Sequence, residues 1–334
     1  MKISASLYSS KERSMHALVE ELDECHIDFF HIDCNDDPSV FDDIATIRKS
    51  SNTPIDLHII SENPAKYFDL IKEHQVEYVT FQFEQLPKDT IFPDFPDAKL
   101  GLAIVSETPV QVFEDFKNQF DFILMMTTTP GQSGGVFQKN NFKKIRKFRN
   151  QYPGRAIHVD GGVNDEIGFI LRILGVSSVV SGSYLVNHAS IGAALMHLRS
   201  SVIHSQFKVA DFMIDLEDAP ILSANPEVKE IFQCIEQYNT GFALLQNRDG
   251  TLFGLSSNAD LRKGFLKHLD DFNKIDPSDV INNTPVSIQQ DATISDLLQL
   301  IRSKSFLISF LPVLGENNQL VGALSFINLI RSES

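Results

Sequence analysis

Hydrophobic and polar positions alternate in blocks along the first two hundred residues of the chain. Short apolar runs predict strands at KISASLY, DFFHID, IDLHII, YVTFQF, LGLAIV, DFILMMT, AIHVDGG and SVVSGSYL. Amphipathic segments such as KERSMHALVEELDECH and NFKKIRKFRNQY lie between them and predict helices. Eight such units predict an α/β fold, a (β/α)8 TIM barrel with a parallel sheet. A doubly wound sheet is the alternative, but the glycine-rich turn that it more often has after the first strand is missing.

The pattern changes after about Asp218 and then repeats itself. Each copy has an extended lead, a helix, two strands joined by a turn, and a short helix. The segments QNRDGTLFGLS and GENNQLVGALS match in place, and such an internal repeat indicates paired modules. The second part of the chain is therefore predicted to be a smaller α+β unit. The predicted bounds are 1–202 for the barrel, 203–217 for a linker, and 218–334 for the pair, with copies at about 218–267 and 276–334.

Composition narrows the class of protein. A net charge of −15 argues against nucleic-acid or anionic-membrane partners, which need an excess of lysine and arginine. Three cysteines without paired spacing predict neither a disulfide framework nor a cysteine zinc site. The start MKISASLYSSKER lacks the apolar core of a signal peptide, and no apolar run reaches the roughly 18–20 residues that span a bilayer. We expect a cytoplasmic protein.

Four polar residues stand at the carboxyl ends of predicted barrel strands, where this fold has its active sites. His31 and Asp33 are two residues apart on the second strand and therefore point to the same side. His58 lies at the end of the third strand, and Asp160 lies at the end of the seventh. Two imidazoles and two carboxylates at one mouth predict a divalent metal site. The alternative is that the histidines are structural and the aspartates cap helices.

Three glycine-rich turns, TTPGQSGG, DGG and SGSYL, follow late strands of the predicted barrel. Bare amides in late βα-loops are the usual phosphate cradle of this fold, although each turn alone is only a tight turn. Together they predict a phosphorylated small substrate beside the metal. Asp33 and Asp160 come from distant strands, so one is placed to remove a proton and the other to return one to the opposite face. The predicted chemistry is epimerisation next to a carbonyl, through an enediolate.

Residues 1–202 resemble ribulose-phosphate 3-epimerases and related ketose-phosphate epimerases. ISASLY is similar to the family's I-S-P-S-L-L, HIDCND to H-V-D-V-M-D, DLHII to D-V-H-L-M, and HVDGGV to E-V-D-G-G-V. TTPGQSGG is similar to V-N-P-G-F-G-G-Q and VSGSYL to V-A-G-S-A-I. The resemblance implies one divalent metal ion (Zn, Fe or Mn) on His31, Asp33, His58 and Asp160, and catalytic roles for Asp33, Asp160 and Ser6. It further implies a substrate and phosphate site made of Gly131, Ser133, Gly134, Gly161, Gly162, Gly182, Ser183 and Met126.

The chain also departs from this family pattern. The family's Met-Asp-Gly-His-Phe after the first ligand strand becomes the run from Asn35 to Ser39, and the second βα-loop is shorter. Ile60 stands where the family has a methionine, and Gln82 stands where it has a pocket histidine. The predicted metal and acid–base residues are complete while the substrate-facing wall differs. These departures therefore bear on the identity of the sugar more than on the type of reaction.

The C-terminal repeat resembles a tandem pair of CBS (cystathionine-β-synthase-type) modules, with spacing similar to the pair attached to arabinose-5-phosphate isomerases. LFGLSSNADLRK is similar to the motif G-h-h-T-x-x-D-h. This implies that Ser257 and Asp260 hold an adenine nucleotide, with Ser325 and Asn328 at the matching positions of the second copy. Capping of a short helix is the other interpretation of Ser257 and Asp260, and both stay open. CBS pairs associate with one another, which implies a homodimer or a higher homo-oligomer.

The predicted function is that of an isomerase of the ribulose-phosphate 3-epimerase type. It would convert D-ribulose 5-phosphate to D-xylulose 5-phosphate, or a related ketose phosphate, by two-aspartate proton transfer. The CBS pair would regulate or dimerise it, and its only other partner would be the small sugar phosphate. The alternative is a catalytically decayed barrel that senses a sugar phosphate or a nucleotide. A third hypothesis is an epimerase for an unusual sugar phosphate of a surface-polysaccharide pathway.

Overall fold

A computed structural model of the protein describes residues 1–128, 134–199 and 207–327. These residues divide into two compact units, 1–199 and 207–327, each with a buried apolar core of its own. Within the described ranges, no helix is both long enough and apolar enough to cross a membrane.

The first unit is a closed barrel of eight parallel strands, in which each strand pairs with the next and the last pairs with the first. All eight apolar runs of the sequence form strands, which confirms the predicted TIM barrel. The strands are β1 (Lys2–Ser6), β2 (Phe29–Cys34), β3 (Ile55–Ile59), β4 (Tyr78–Gln82), β5 (Lys99–Ile104), β6 (Phe122–Met126), β7 (Ala156–Asp160) and β8 (Ser178–Ser181).

Helices cover the outside of the barrel and bury their apolar faces against it. The first helix shows the pattern, because Leu18, Val19 and Leu22 are buried and the hydroxyl of Ser14 accepts a hydrogen bond from the amide of Ala17 at its start. Short 3-10 segments take the place of helices after β4 and β5. The helices are α1 (Met15–Glu24), α2 (Val40–Ile47), α3 (Phe68–Glu73), α4 (Asn140–Gln151), α5 (Asp165–Ile173), α6 (Ser183–Val186) and α7 (Ile191–Arg199).

The register of the strands brings the predicted site residues to one level. Asp33 is paired with His58 across β2 and β3, and Ser6 is paired with His31 across β1 and β2. Met126 is paired with Asp160 across β6 and β7. Parallel strands all end at the same rim, so these side chains share the carboxyl end of the barrel.

The second unit contains two small sheets of the same internal design. In each, a parallel pair is followed by an antiparallel hairpin with a register shift near the end of its first strand. The first sheet comprises β10 (Ile221–Ser223), β11 (Phe242–Gln246) and β12 (Leu252–Ser257), and the second β13 (Ile288–Gln289), β14 (Phe310–Leu314), β15 (Leu320–Ser325) and β9 (Ile214–Asp215). The helices are α8 (Val209–Phe212), α9 (Val228–Tyr238), α10 (Asn258–Lys267) and α11 (Ile294–Arg302). The repeat seen in the sequence is therefore a repeat of structure, and the α+β class is confirmed.

One segment differs from the linker predicted over 203–217. Helix α8 and strand β9 lie within its described part, and β9 pairs antiparallel with β15 through Asp215 and Ile214. A two-residue strand is too short to show an alternating pattern, so it was not predictable from the residues alone. The domain bounds themselves stay a prediction.

Candidate functional site

The four predicted ligands meet at the carboxyl end of the barrel. His31 and Asp33 come from β2, His58 from β3 and Asp160 from β7. One ligand atom of each lies within 4.8 Å of the corresponding atoms of the other three. Both imidazoles are buried and both carboxylates are half-buried. The closure of the barrel thus produces the cluster that the sequence predicted.

The contacts inside the cluster centre on one carboxylate. Asp33 Oδ1 lies 3.3 Å from His31 Nε2 and 3.1 Å from His58 Nδ1. Asp160 Oδ2 lies 3.9 Å from the same His31 Nε2. Two carboxylates and two ring nitrogens therefore face one small space. This donor set fits a divalent cation that accepts nitrogen and oxygen ligands.

The ring of His31 is oriented from behind by Asp56. Asp56 Oδ2 lies 3.0 Å from His31 Nδ1 and accepts a hydrogen bond of 2.9 Å from the hydroxyl of Ser4. Because a buried carboxylate requires a donor, Nδ1 carries a hydrogen, and Nε2 is the ring nitrogen that faces the cluster and would ligate a metal ion. Asp56 and His58 are two residues apart on β3, as His31 and Asp33 are on β2, and therefore share a face of the strand. Sequence reasoning nevertheless missed Asp56.

The ring of His58 is oriented in the opposite sense by Gln82 at the end of β4. Gln82 Oε1 lies 2.8 Å from His58 Nε2, and its amide nitrogen donates to Glu84 Oε2. His58 Nε2 is therefore the donor, and Nδ1 is the ring nitrogen that faces the cluster. Gln82 was predicted to belong to the substrate-facing wall, and the structure places its side chain behind the ligand instead.

The two carboxylates of the cluster differ in their electrostatic surroundings. Burial raises the pKa of Asp160 to about 6, and the charge of Asp33 adds to this effect. Burial also raises the pKa of Asp33, but His31 and His58 outweigh it and hold this pKa well below its usual range. Burial alone would lower the pKa of His31, yet Asp56 and Asp33 raise it well above its ordinary value. Concentrated negative charge in a buried site is compensated in proteins by a cation.

A cavity of about 390 Å³ opens above the cluster, with Asp33 and Asp160 in its wall. The predicted residues Ser6, Met126, Gly134, Gly161, Gly162, Gly182 and Ser183 also line it. Gly131 and Ser133 lie outside the described residues. Among the other polar lining residues, sequence reasoning named only Asn35, as a departure from the family pattern. These other residues are Tyr8, Ser9, Asn35, Thr128, Asn164 and Tyr184.

Two details of the lining concern the predicted serine and glycines. The hydroxyl of Ser6 lies 2.9 Å from the hydroxyl of Ser9, and no bond to Asp33 or Asp160 is present in the described part of the chain. Gly161 has φ +112°, and a Cβ there would lie 2.3 Å from the side-chain oxygen of Thr128. Only glycine fits at that position, so the turn presents bare backbone to the cavity.

The predicted nucleotide residues of the second unit are arranged differently. Ser257 Oγ lies 2.5 Å from Asp260 Oδ2, and each side chain also accepts a hydrogen bond from the other residue's amide. This is a capping box at the start of α10, as the structural alternative predicted. Ser325 ends β15, and Asn328 lies outside the described residues. Nucleotide binding stays a prediction.

Comparison with known proteins places this geometry in context. The model of the ribulose-phosphate 3 epimerase family matches residues 2–186, and the CBS domain model matches residues 278–334. The cytoplasmic isoform of ribulose-phosphate 3-epimerase from Oryza sativa subsp. japonica is 28% identical over 221 residues, 62% of this chain and 96% of the relative. The ribulose-phosphate 3-epimerase of Methanocaldococcus jannaschii is 27% identical, over 64% of this chain and 95% of its own length.

A bacterial relative and a solved structure complete the comparison. The ribulose-phosphate 3-epimerase of Bacillus subtilis is 24% identical, over 60% of this chain and 99% of its own length. A CBS-pair protein from Arabidopsis thaliana has a TM-score of 0.32 and 18% identity, over 39% of this chain and 95% of its own. The family model covers all eight strands of the barrel and more than half of the 334 residues. The chain therefore belongs to the ribulose-phosphate 3-epimerase family.

Proposed function

We propose that the protein epimerises a ketose phosphate at C3, converting D-ribulose 5-phosphate to D-xylulose 5-phosphate or acting on a related sugar phosphate. The observation that carries the proposal is the meeting of His31, Asp33, His58 and Asp160 within 4.8 Å at the mouth of a barrel of this family. These four residues would hold the divalent ion. When bound, the ion would polarise the carbonyl and make the neighbouring C–H bond more acidic.

The proton transfers are assigned to the two aspartates. Asp33 and Asp160 belong to β2 and β7 and both line the cavity above the cluster. One carboxylate takes the proton from C3, and the other delivers a proton to the opposite face, which inverts that centre. The reverse reaction exchanges their roles. No further co-reactant is needed because one proton leaves the carbon and one returns.

The phosphate of the substrate is assigned to the glycine turns beside the cluster. Gly161 and Gly162 present backbone without side chains to the cavity, and Gly182 lines it from the end of β8. Gly131, Ser133 and Gly134 of the turn after β6 are part of the same proposal. A cavity of about 390 Å³ is within the size range of small-molecule sites. Asn35, also in the lining, would contact a sugar hydroxyl and bears on the choice of sugar.

Hydrogen exchange tests the proposal without requiring the best substrate. In deuterated water, the wild-type protein loaded with Zn²⁺, Fe²⁺ or Mn²⁺ is expected to exchange the C3 proton of at least one member of a panel of ketose phosphates. Asp33→Asn and Asp160→Asn are expected to abolish the exchange, whereas Asp69→Asn on the outer surface of α3 serves as the matched control. Full activity in both variants, on every sugar that the wild type accepts, would contradict the proposal.

A second candidate is a non-catalytic sensor of sugar phosphates. The polar Asn35 in the cavity lining, where the family pattern has methionine, favours it. Metal analysis separates the two. About one Zn, Fe or Mn per chain in the purified protein supports the enzyme, and a metal-free protein that still binds sugar phosphate supports the sensor.

The role of the CBS pair is a separate part of the proposal. We infer that the pair binds an adenine nucleotide. It would then regulate the barrel, or join two chains into a homodimer or a larger homo-oligomer. We further propose that the protein is cytoplasmic. The CBS domain match over residues 278–334 supports this assignment. Calorimetric titration with AMP and ATP tests the ligand, and light scattering of the full chain tests the oligomer. A monomer that binds neither nucleotide would contradict it.

A further inference from the structure

A second cavity, of about 410 Å³, lies at the other end of the barrel. Its walls include the first residues of seven strands, so it opens at the amino-terminal rim, away from the metal cluster. These residues are Lys2, Phe29, Tyr78, Lys99, Phe122, Ala156 and Ser178. The proposed epimerase reaction uses none of them.

Aromatic rings form the inner surface of this cavity. The rings of Phe29 and Tyr78 have centroids 4.7 Å apart, and the ring of Phe122 stacks on that of His158 at 4.1 Å with an angle of 22°. A Cβ at Gly101 would lie 2.2 Å from the Phe122 ring, so a glycine is needed for the ring to lie where it does. Phe29 and Phe122 keep only 3% and 1% of their surface exposed, whereas Tyr78 is half-buried, so the aromatic surface that the cavity offers a ligand belongs mainly to Tyr78.

Two lysine ammonium groups stand over these rings. Lys2 Nζ lies 4.7 Å from the centroid of Phe29, and Lys99 Nζ lies 5.7 Å from that of Tyr78. Neither ammonium forms an ion pair with any carboxylate among the described residues, although the protein has a net charge of −15. Asp121 also lines the cavity, but its Oδ2 already accepts a hydrogen bond of 2.9 Å from the amide of Leu100. Both lysines can therefore hold an anion.

The imidazole of His158 supplies a polar group inside the cavity. It is only 6% exposed, and its ring nitrogens have no hydrogen-bond partner in residues 1–128, 134–199 and 207–327. These nitrogens do not belong to the fully enclosed side-chain atoms that lack a partner among the described residues, so they face the open cavity. A ligand atom there would donate to or accept from this ring.

We infer that the amino-terminal end of the barrel binds a small aromatic anion, with its ring against Tyr78 and its carboxylate or phosphate at Lys2 and Lys99. The polar edge of the ligand reaches His158. A single ring with one anionic group matches a cavity of about 410 Å³ better than an unsubstituted inorganic anion, which would leave the aromatic surface uncovered. This site is independent of the epimerase proposal, because it shares no residue with the mouth of the barrel.

Fluorine NMR of 4-fluorobenzoate tests this inference on the full metal-loaded chain. The probe is expected to bind the wild type at millimolar or lower concentration, and the Lys2→Ala/Lys99→Ala double variant is expected to bind it at least about tenfold more weakly. The matched control is Lys49→Ala/Lys88→Ala, which removes the same charge from exposed positions elsewhere on the barrel. Phenyl phosphate, competed against the probe with ribulose 5-phosphate present in excess, distinguishes a phosphate ligand from a carboxylate ligand. Benzyl alcohol tests the need for the anionic group.

Each outcome bears on the inference. Loss of affinity in the Lys2/Lys99 variant alone, with an unchanged melting temperature, supports it. His158→Phe, which keeps the stacked ring and removes the nitrogens, is expected to weaken binding several-fold. No binding to the wild type, equal binding to the Lys2/Lys99 variant, or an equal loss in the control variant overturns it. Binding of benzyl alcohol as tight as that of 4-fluorobenzoate would also overturn it.

Discussion

The barrel mouth and the start of α10 both contain the kinds of side chain from which ligand sites are made, but they use them differently. At the mouth, Asp33 contacts His58 from a position 25 residues away in the chain, and the cluster draws on three strands. At α10, Ser257 and Asp260 are three residues apart and bond to each other. The first arrangement exists only because the barrel closes. The second forms within one turn of helix.

The difference shows how a binding site can be told from a structural motif. The capping box satisfies its own donors and acceptors, so it needs nothing further. The cluster holds two carboxylates and two ring nitrogens directed at one point, while Asp56 and Gln82 hold the outer edges of both rings. Such an arrangement is costly unless a cation occupies its centre. Residue type alone therefore does not identify a site, whereas convergence from separate strands with supporting partners does.

The largest expected effect is on the rate of epimerisation, which should depend on the barrel mouth and not on the start of α10. Asp160→Ala is expected to lower the rate of C3 epimerisation by about 10³-fold or more, since one of the two proton-transfer groups is lost. Asp260→Ala removes a carboxylate too, but from a cap, and is expected to leave the rate within about twofold in the absence of nucleotide. Initial rates with matched metal content measure both. A similar loss in the two variants would contradict the comparison.

Metal removal should act on the barrel and spare the repeat. At a metal concentration about 1,000 times the dissociation constant, binding stabilises the folded barrel by about 4 kcal/mol, or roughly 10 °C in melting temperature. A chelator is therefore expected to lower the melting transition of the barrel by this amount. Calorimetry of the full chain, with and without chelator, makes the measurement, and Asp33→Ala is the control that should show no further shift. A chelator that leaves the wild-type transition unchanged would refute the assigned donor set.

A smaller effect is expected behind the cluster. Asp56→Asn removes the charge that orients His31, so metal affinity should fall by about 10- to 100-fold. Ser4→Ala, which removes only a donor to Asp56 and leaves the contact of Asp56 with His31, should change it less than about threefold. Competition with a chromophoric chelator gives both dissociation constants. Equal effects of the two substitutions would show that Asp56 acts through packing rather than through the histidine.

Asp56 also shows how far the sequence alone could lead. The eight strands were predictable because each is a compact apolar run, and His31, Asp33, His58 and Asp160 because each stands where such a run ends. Asp56 was missed, and Gln82 was assigned to the substrate-facing wall, because their contacts depend on the register between neighbouring strands and on side-chain direction. Strand β9 was missed because two residues carry no pattern. The one signal in the sequence that pointed to Asp56 was its position two residues before His58, which places both side chains on the same face of β3.

The smallest expected effect tests the structural side of the comparison. Ser257→Ala removes the hydroxyl that accepts from the amide of Asp260 at the start of α10, so it should destabilise the second unit by about 1 kcal/mol. Ser257→Asp keeps an acceptor at the cap and is the matched control, expected to restore most of that stability. Urea unfolding followed by a probe in the second unit measures both. If Ser257→Ala left stability unchanged but weakened binding of AMP, the serine would be a ligand rather than a cap. If it lowered stability and left AMP binding unchanged, the capping box would be its whole role, and the contrast with the barrel mouth would stand.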